Sequence, residues 1–248
     1  MAWRCSAASN SGLIDNLASA HLLTTPRLIS AFKAIDRGCF SPRRPYDDAP
    51  QALGFGATIS APHMHAAAAE SLAAFLVPGA KVLDIGSGSG YLVAVFAKLV
   101  VQGDDEERGK VFGVEHIREL NEAARERFTA ALGEDGERML ADGDVVFRTG
   151  DGRYGWPGEQ FDAIHIGAAI PTVTDALLAQ LKSPGKMFVP VGSPDESQYI
   201  YEITKDSAGN VTREQKFGVS YVPLADSHYY YARGSTIVPL TRTSDVGL

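Results

Sequence analysis

Cysteine is scarce: Cys5 and Cys39 are the only two in 248 residues. Two thiols make no disulfide framework, and neither has a partner at metal-ligand spacing, so a reducing, cytoplasmic setting is expected. Long apolar runs are missing as well. A membrane-spanning helix needs about 18 or more consecutive apolar residues, and the best candidate, Tyr91 to Val101, is shorter and broken by Lys98. Residues 1–12 lack the apolar core and cleavage pattern of a secretory leader. Basic charge is outnumbered, with 23 Lys+Arg against 30 Asp+Glu and a net charge of −7. Such a chain gains no general attraction for phosphate backbones, so neither nucleic acid nor a membrane is expected as a partner. Internal repeats and low-complexity tracts are absent. The 45% hydrophobic and 21% charged composition is that of a folded globular protein and excludes disordered, collagen-like and coiled-coil chains.

Local patterns then sketch an order of elements. Residues 10–20 and 26–36 read as short helices, the second opened by Thr24-Thr25-Pro26, a hydroxyl cap before a proline in the first turn, and carrying Leu28, Ile29, Phe32 and Ile35 at helical spacing. The stretch 38–60, rich in Pro, Gly and Asp, reads as a long loop of the kind that often serves function. Pro62 opens a third helix toward Leu76. Beyond it, strands at 81–85, 110–115, 145–149, 161–166 and 186–191 alternate with helices at 90–101, 117–132 and 173–181. That alternation implies parallel βαβ units. Gln102–Gly109 and Gly133–Asp144 read as solvated loops. Segments 198–205 and 211–219 flank the turn signal Ser207-Ala208-Gly209-Asn210, so an antiparallel hairpin is expected. No periodic pattern follows Asp226. The expected fold class is α/β, a doubly wound, mostly parallel Rossmann-like sheet with N-terminal helices and a C-terminal antiparallel hairpin. It is read as a single domain over 1–248: an N-terminal helical and loop region over residues 1–78, a cofactor-binding core over 79–192, and strands and tail over 193–248.

Chemistry concentrates in Val82-Leu83-Asp84-Ile85-Gly86-Ser87-Gly88-Ser89-Gly90. Three glycines at alternate positions follow a buried strand and open a helix, which lets backbone approach a ligand and aims amides at it. The dinucleotide fingerprint wants a further glycine where Tyr91 stands, so GxGxxG fails and GxGxG holds. Asp84 adds a carboxylate on the ligand side, the usual look of an S-adenosylmethionine site. Glu115 ends the next strand, where a carboxylate can accept both ribose hydroxyls. Asp151-Gly152 follows the strand after that, where Asp can accept from an adenine amino group and Gly lets the base lie against backbone. All three acids fall at strand carboxyl ends, where open α/β sheets bind ligands.

Several stretches together resemble the protein-L-isoaspartate (D-aspartate) O-methyltransferase family. They are Ala57-Thr58-Ile59-Ser60-Ala61-Pro62-His63-Met64-His65-Ala66, the glycine loop, Gly150-Asp151-Gly152, Phe161-Asp162-Ala163-Ile164-His165, Gly167-Ala168-Ala169 and Tyr221-Val222-Pro223-Leu224. The resemblance runs from about Ser11 to Asp226; the segment 57–66 is the specific stretch, since many methyltransferases share the glycine loop. It implies the Rossmann-like fold of S-adenosylmethionine-dependent methyltransferases. The implied reaction is methyl transfer to the free α-carboxylate of L-isoaspartyl, and of D-aspartyl, residues in damaged proteins and peptides. S-adenosyl-L-homocysteine is the product, and succinimide formation then leads back to aspartate.

The resemblance also implies residue roles. Ser60 matches the active-site position and is expected to orient the attacking carboxylate; taken alone, it also reads as a helix-start hydroxyl bonded to a local N–H. Cofactor contacts are expected from Ala57, Thr58, Ile59, Ser60, His65, Asp84, Gly86, Ser87, Gly88, Glu115, His116, Asp151 and Gly152. Substrate contacts are expected from Ser60, His65, Val222, Pro223 and Leu224, the last three in a segment that covers the site. Our own addition is that the helix entered at Ala61-Pro62 turns its positive end toward the substrate anion.

No metal is expected, since His63 and His65, two apart, diverge on a helix and lack a third ligand. His165 reads as packing at a strand end. Ala225 departs from the threonine usual in the family. A non-catalytic adaptor would be expected to carry a longer C-terminal extension than 227–248. An RNA methyltransferase would carry a basic aromatic surface, and an NAD enzyme a glycine in place of Tyr91. The remaining expectation is a monomeric enzyme acting on isoaspartyl proteins and peptides.

Overall fold

The computed structural model describes residues 5–103, 108–193 and 196–224. Two helices come first, α1 (Asn10–Ser19) and α2 (Pro26–Ala34), then a small antiparallel pair, β1 (Gln51–Gly54) and β2 (Ala57–Ile59), and α3 (Pro62–Leu72). The core follows as β3 (Lys81–Ile85), α4 (Tyr91–Val100), β4 (Lys110–Glu115), α5 (Arg118–Leu132), α6 (Glu134–Ala141), β5 (Val145–Thr149), β6 (Phe161–Ile166), α7 (Asp175–Ala179) and β7 (Leu181–Val191). β8 (Gln198–Lys205) and β9 (Val211–Val219) close the sheet.

The seven strands lie in the order β5-β4-β3-β6-β7-β8-β9. Pairing is parallel from β5 to β7 and antiparallel for β7–β8 and β8–β9, which bears out the expected class. Chain order reverses at β3, with β4 on one side and β6 on the other, so the crevice at their carboxyl ends is the topological switch point. Strand alternation separates two cores. Val82, Val111, Val145, Ala163 and Phe188 face the N-terminal helices, α4 and α5. Leu83, Ile85, Phe112, Val114, Ile164 and Met187 face the opposite layer with Leu177 and Leu224. Helix α4 is buried at every position except Lys98, because the sheet covers one side and the N-terminal helices the other.

Three local expectations are corrected. Segment 133–144 is not a loop throughout. Helix α6 forms there because Glu134, Asp135 and Glu137 sit in its first turn, favourable to the helix dipole, while Met139 is buried. Of the other segment read as a solvated loop, 102–109, residues 104–107 lie outside the described residues. The long loop 38–60 contains β1 and β2, joined through Gly54 and Gly56 at φ 99° and 71°. The threonines before α2 do not cap it with a hydroxyl. Instead Glu70 Oε1 of α3 accepts from the Thr24 and Thr25 amides at 2.5 and 2.7 Å, and Thr25 Oγ1 donates to Glu70 Oε2 at 2.8 Å. The hairpin turn at 207–210 forms as read, with Asp206 Oδ1 accepting from the Ala208 and Asn210 amides. The tail 225–248, with Ala225, lies outside the described residues.

Candidate active site

Strand β3 delivers the chain into the turn at the switch point. Gly86, Gly88 and Gly90 adopt φ of 72°, 52° and 82°, the left-handed region in which a side chain is strained. The Gly86 and Ser87 amides donate to the Val114 carbonyl at 2.8 and 3.1 Å, which ties the turn to β4. Glu115, at the end of β4, is 4% exposed and holds the same turn: Oε2 accepts from the Gly88 amide at 3.0 Å and Oε1 from the Ile117 amide at 3.1 Å. Its neighbour His116 places Nδ1 3.0 Å from Oε1. Glu115 is therefore a brace of the glycine turn as well as a ligand candidate, a role that the alternating pattern did not reveal. Asp84 is buried on the opposite side of the turn, its Oδ1 2.6 Å from His165 Nδ1 of β6. His165 thus does more than pack at a strand end.

Strand β2 brings the segment 57–66 to this crevice. Ser60 follows β2, and His65 lies on the buried face of α3. A cavity of about 30 Å³ is bounded by Ile59, Ser60, His65, Asp84, Ser87 and His165, among others. A second of about 30 Å³ is bounded by Ala57, Gly86, Gly88, Glu115, His116 and Leu224, among others. A larger one of about 430 Å³ opens over Ser60, His63, Met64, Val219, Tyr221 and Val222. Thr58 and Gly167 line all three, so they form one continuous site.

The segment Val222–Leu224 crosses this site as a strap. The Ala169 amide donates to the Val222 carbonyl at 2.8 Å, and the Leu224 amide to the Ala169 carbonyl at 2.7 Å. Gln198 anchors the strap's start, its Oε1 accepting from the Tyr221 amide at 2.6 Å. Burial pushes the Tyr221 phenol up to about 12, while a hydrogen bond with the Ser60 hydroxyl pulls the other way.

Two further expected residues, Asp151 and Gly152, follow β5 directly. Asp151 turns to Arg153, accepting from its backbone N–H at 2.9 Å and from Nη2 at 2.6 Å. Those bonds hold the carboxyl below its ordinary range against a smaller opposing effect of burial. Gly152 is buried under the strap: a Cβ there would stand 2.4 Å from Ile85 Cγ2 and 3.2 Å from Leu224 Cδ1. Neither residue lines the three cavities. The start of α3 also departs from the reading. The His63 amide and ring Nδ1 both meet Asp48 Oδ1, so a buried carboxylate already faces that helix end.

Four residues escaped the sequence reading of roles: Arg37, Asp48, His165 and Tyr221. Arg37 is fully buried, with Nη2 donating to the Ser60 carbonyl at 2.7 Å and Nη1 3.0 Å from His65 Nδ1. Tyr221 and His165 carried a signal, since both lie in stretches that carry the family resemblance, whereas Arg37 and Asp48 carried none. The arrangement offers a nucleoside crevice joined, at a serine hydroxyl, to a cavity open to a larger acceptor.

Comparison with known proteins agrees with that arrangement. A family model described as protein-L-isoaspartate(D-aspartate) O-methyltransferase matches residues 8–229. A Caenorhabditis elegans protein-L-isoaspartate O-methyltransferase is 42% identical over 234 residues, covering 94% of this chain and 100% of that protein. One from Triticum aestivum is 41% identical over 218 residues, covering 87% and 90%. A Plasmodium falciparum structure described as a protein-L-isoaspartate O-methyltransferase in complex with S-adenosyl-L-homocysteine superposes with a TM-score of 0.79 at 29% identity, covering 88% of this chain and 99% of that one.

Proposed function

This chain belongs to the protein-L-isoaspartate (D-aspartate) O-methyltransferase family, and from that premise we propose how its residues divide the work. It is an S-adenosylmethionine-dependent repair methyltransferase, acting on the free α-carboxylate of L-isoaspartyl and D-aspartyl residues in damaged proteins and so initiating their return to normal aspartate.

The donor set fits the cofactor. Asp84 and Glu115 bring carboxylates to the two small cavities. The Ser87 hydroxyl is buried with no partner among the described residues. A Cβ on Gly86 or Gly88 would stand 3.7 Å from Ala168 Cβ or 3.5 Å from Leu53 Cδ1, filling space that the turn leaves open. We assign Ala57, Thr58, Ile59, Ser60, His65, Asp84, Gly86, Ser87, Gly88, Glu115 and His116 to the cofactor. We also assign Asp151 and Gly152, at the turn after β5, to the adenine end of the cofactor. Bound S-adenosylmethionine supplies a methyl group on a sulfonium that is its own leaving group.

The chain's own contribution is alignment and exclusion of water. The acceptor carboxyl has a pKa of roughly 4 and is already an anion at neutral pH, so no residue has to remove a proton. Ser60, which lines both the cofactor cavity and the larger one, donates its hydroxyl to that anion and orients it for in-line attack. The strap shields the site. One strap edge is paired with Ala169, so an extended peptide has the opposite edge of Val222–Leu224, and main-chain pairing there tolerates many sequences. The observation that carries this reading is the shared rim at Thr58, Ser60 and Gly167.

The test is methyl transfer from labelled cofactor to a matched peptide pair, one with L-isoaspartate and one with L-aspartate. Base-labile label on the isoaspartyl peptide alone is expected. Label on neither, with cofactor binding intact, would end the reading.

We also propose that 1–248 works as one methyltransferase domain, monomeric and cytoplasmic, with proteins and not nucleic acid as partners. All three regions of the chain line one site, through Ser60, Gly167 and Val222. Both cysteines are free, as suits a reducing compartment. A dimer mass by light scattering would remove the monomer.

A further inference from the structure

Behind Ser60 lies a charge that none of these roles uses. Arg37 is 0% exposed, on a 3₁₀ turn over Arg37–Cys39. The turn is pinned from two sides. Asp36 Oδ1 accepts from the Gly38 amide at 2.8 Å and from the Tyr46 hydroxyl at 2.9 Å. Asn10 Oδ1 accepts from the Arg37 amide at 3.3 Å, while Asn10 Nδ2 donates to the Phe32 carbonyl at 3.0 Å. The guanidinium so placed lies 5.2 Å from the centre of the Tyr91 ring, and that ring lies 5.2 Å from the His65 ring. Among the described residues no carboxylate forms an ion pair with Arg37. Burial pushes its pKa down to about 10, so it remains a cation at neutral pH. A buried cation without an ion pair is costly to keep, and its hydrogen bonds go to Ser60 and His65.

A guanidinium only donates. His65 Nδ1, 3.0 Å from Nη1, is therefore an acceptor, and the ring proton of neutral His65 sits on Nε2. His65 lines the small cavity beside Ser60, Asp84 and Ser87, and Arg37 does not. Nε2 is the ring nitrogen left over by the Arg37 contact, and no described residue bonds it. Burial first, then the charges of Arg37, His165 and His63, push His65 well below its ordinary range and keep it neutral.

We propose that Arg37 is a positioning residue for methyl transfer, fixing His65 as the Nε2–H tautomer so that the cofactor cavity receives an N–H donor instead of a lone pair, and tethering the Ser60 backbone to the same guanidinium. The group that such a donor recognises is a carboxylate. Both the amino-acid end of the cofactor and the isoaspartyl acceptor carry one. The inference rests on the cavity assignment above.

The decisive measurement is the His65 tautomer, read by nitrogen NMR of histidine-labelled protein with neither cofactor nor peptide, the signal assigned with His65→Gln. The Nε2–H form is expected; the Nδ1–H form or an even mixture overturns the proposal. Arg37→Lys, also a donor only, should keep the tautomer and stay within about threefold of the parent in catalytic efficiency. Arg37→Met should lose the tautomer bias. With it goes about tenfold in affinity for S-adenosylhomocysteine but not for methylthioadenosine, if the cofactor carboxylate is the acceptor. A similar rise in peptide KM at unchanged cofactor affinity identifies the substrate carboxylate. If Arg37→Met leaves tautomer, affinity and KM unchanged, Arg37 only packs and the proposal falls. Should Arg37→Met not fold, the parent spectrum and Arg37→Lys decide. Parent protein that fails to methylate isoaspartyl peptide would strike the proposed function and leave the tautomer result standing.

Discussion

Asp48 Oδ1 accepts two hydrogen bonds from one residue, the His63 backbone N–H at 3.0 Å and the His63 ring Nδ1–H at 2.7 Å. His63 is the second residue of α3, whose own N-cap, Ala61, has no capping side chain. A carboxylate from the preceding loop thus takes over the cap and meets the helix dipole from inside the protein. The pairing also sorts two neighbouring imidazoles: neutral His63 carries its proton on Nδ1, toward Asp48, and His65 on Nε2, away from Arg37.

Removing this remote cap should loosen the segment that presents Ser60. Asp48→Ala is expected to cost about 0.5–2 kcal/mol of stability, the range for a lost N-cap. Asp48→Asn keeps an acceptor oxygen and should lose less than half as much. Urea unfolding of the three proteins checks this. Equal losses in the two variants would show that the capping bond is not what Asp48 contributes.

His65 ties stability to pH. Its folded pKa is lowered by burial and by the neighbouring charges of Arg37, His165 and His63, whereas an unfolded histidine titrates near 6.5. Below that value the unfolded chain binds the proton and the folded one does not, so stability falls as pH falls and is fully present above about 6.5. His65→Gln should therefore flatten the decline in melting temperature between roughly pH 6.5 and 5. An unchanged slope would mean that His65 titrates normally in the fold.

The sheet was legible because period-2 and fully buried patterns name strands wherever they occur, as in Val82-Leu83 and Phe161 to Ile166. Asp84 and Glu115 were legible as acids at strand ends, yet not as a histidine partner and a turn brace, since those partners lie 81 and 27 residues away in the chain. Arg37 was illegible for a physical reason. A buried guanidinium beside a turn leaves no periodic trace, and composition treats it as one more surface charge. Helix α6 was missed because it is only eight residues long and Met139 and Leu140 are its only large apolar side chains, so the segment reads as polar.

Gly152 invites a steric prediction. The backbone there lies against Ile85 and Leu224, and a Cβ would come within 2.4 Å of Ile85 Cγ2. Gly152→Ala is expected to destabilise by about 1–3 kcal/mol, as overpacked cores do, and to push Leu224 and the strap outward. Faster amide exchange at Leu224 than in the parent would report that movement. A variant with parental stability and exchange would show that the base of the crevice yields without cost.

Ser60 and Tyr221 both line the larger cavity, one from the end of β2 and the other from the start of the strap, and the Ser60 hydroxyl offsets part of the upward push that burial gives the Tyr221 phenol. If Ser60 orients the acceptor carboxylate, its Oγ–H must point at that anion, and the Tyr221 phenol fixes where it points. Ser60→Ala should then lower kcat for an isoaspartyl peptide about tenfold, or ~1.4 kcal/mol in the barrier. Tyr221→Phe should cost about three- to tenfold without loss of fold, since only the phenol oxygen goes. If Tyr221 acts through the Ser60 hydroxyl, the double variant should be little worse than Ser60→Ala alone, a coupling that independent residues do not show. A Ser60→Ala loss under about threefold would remove the orienting role. Multiplying losses in the double variant would keep Ser60 and release Tyr221 from it.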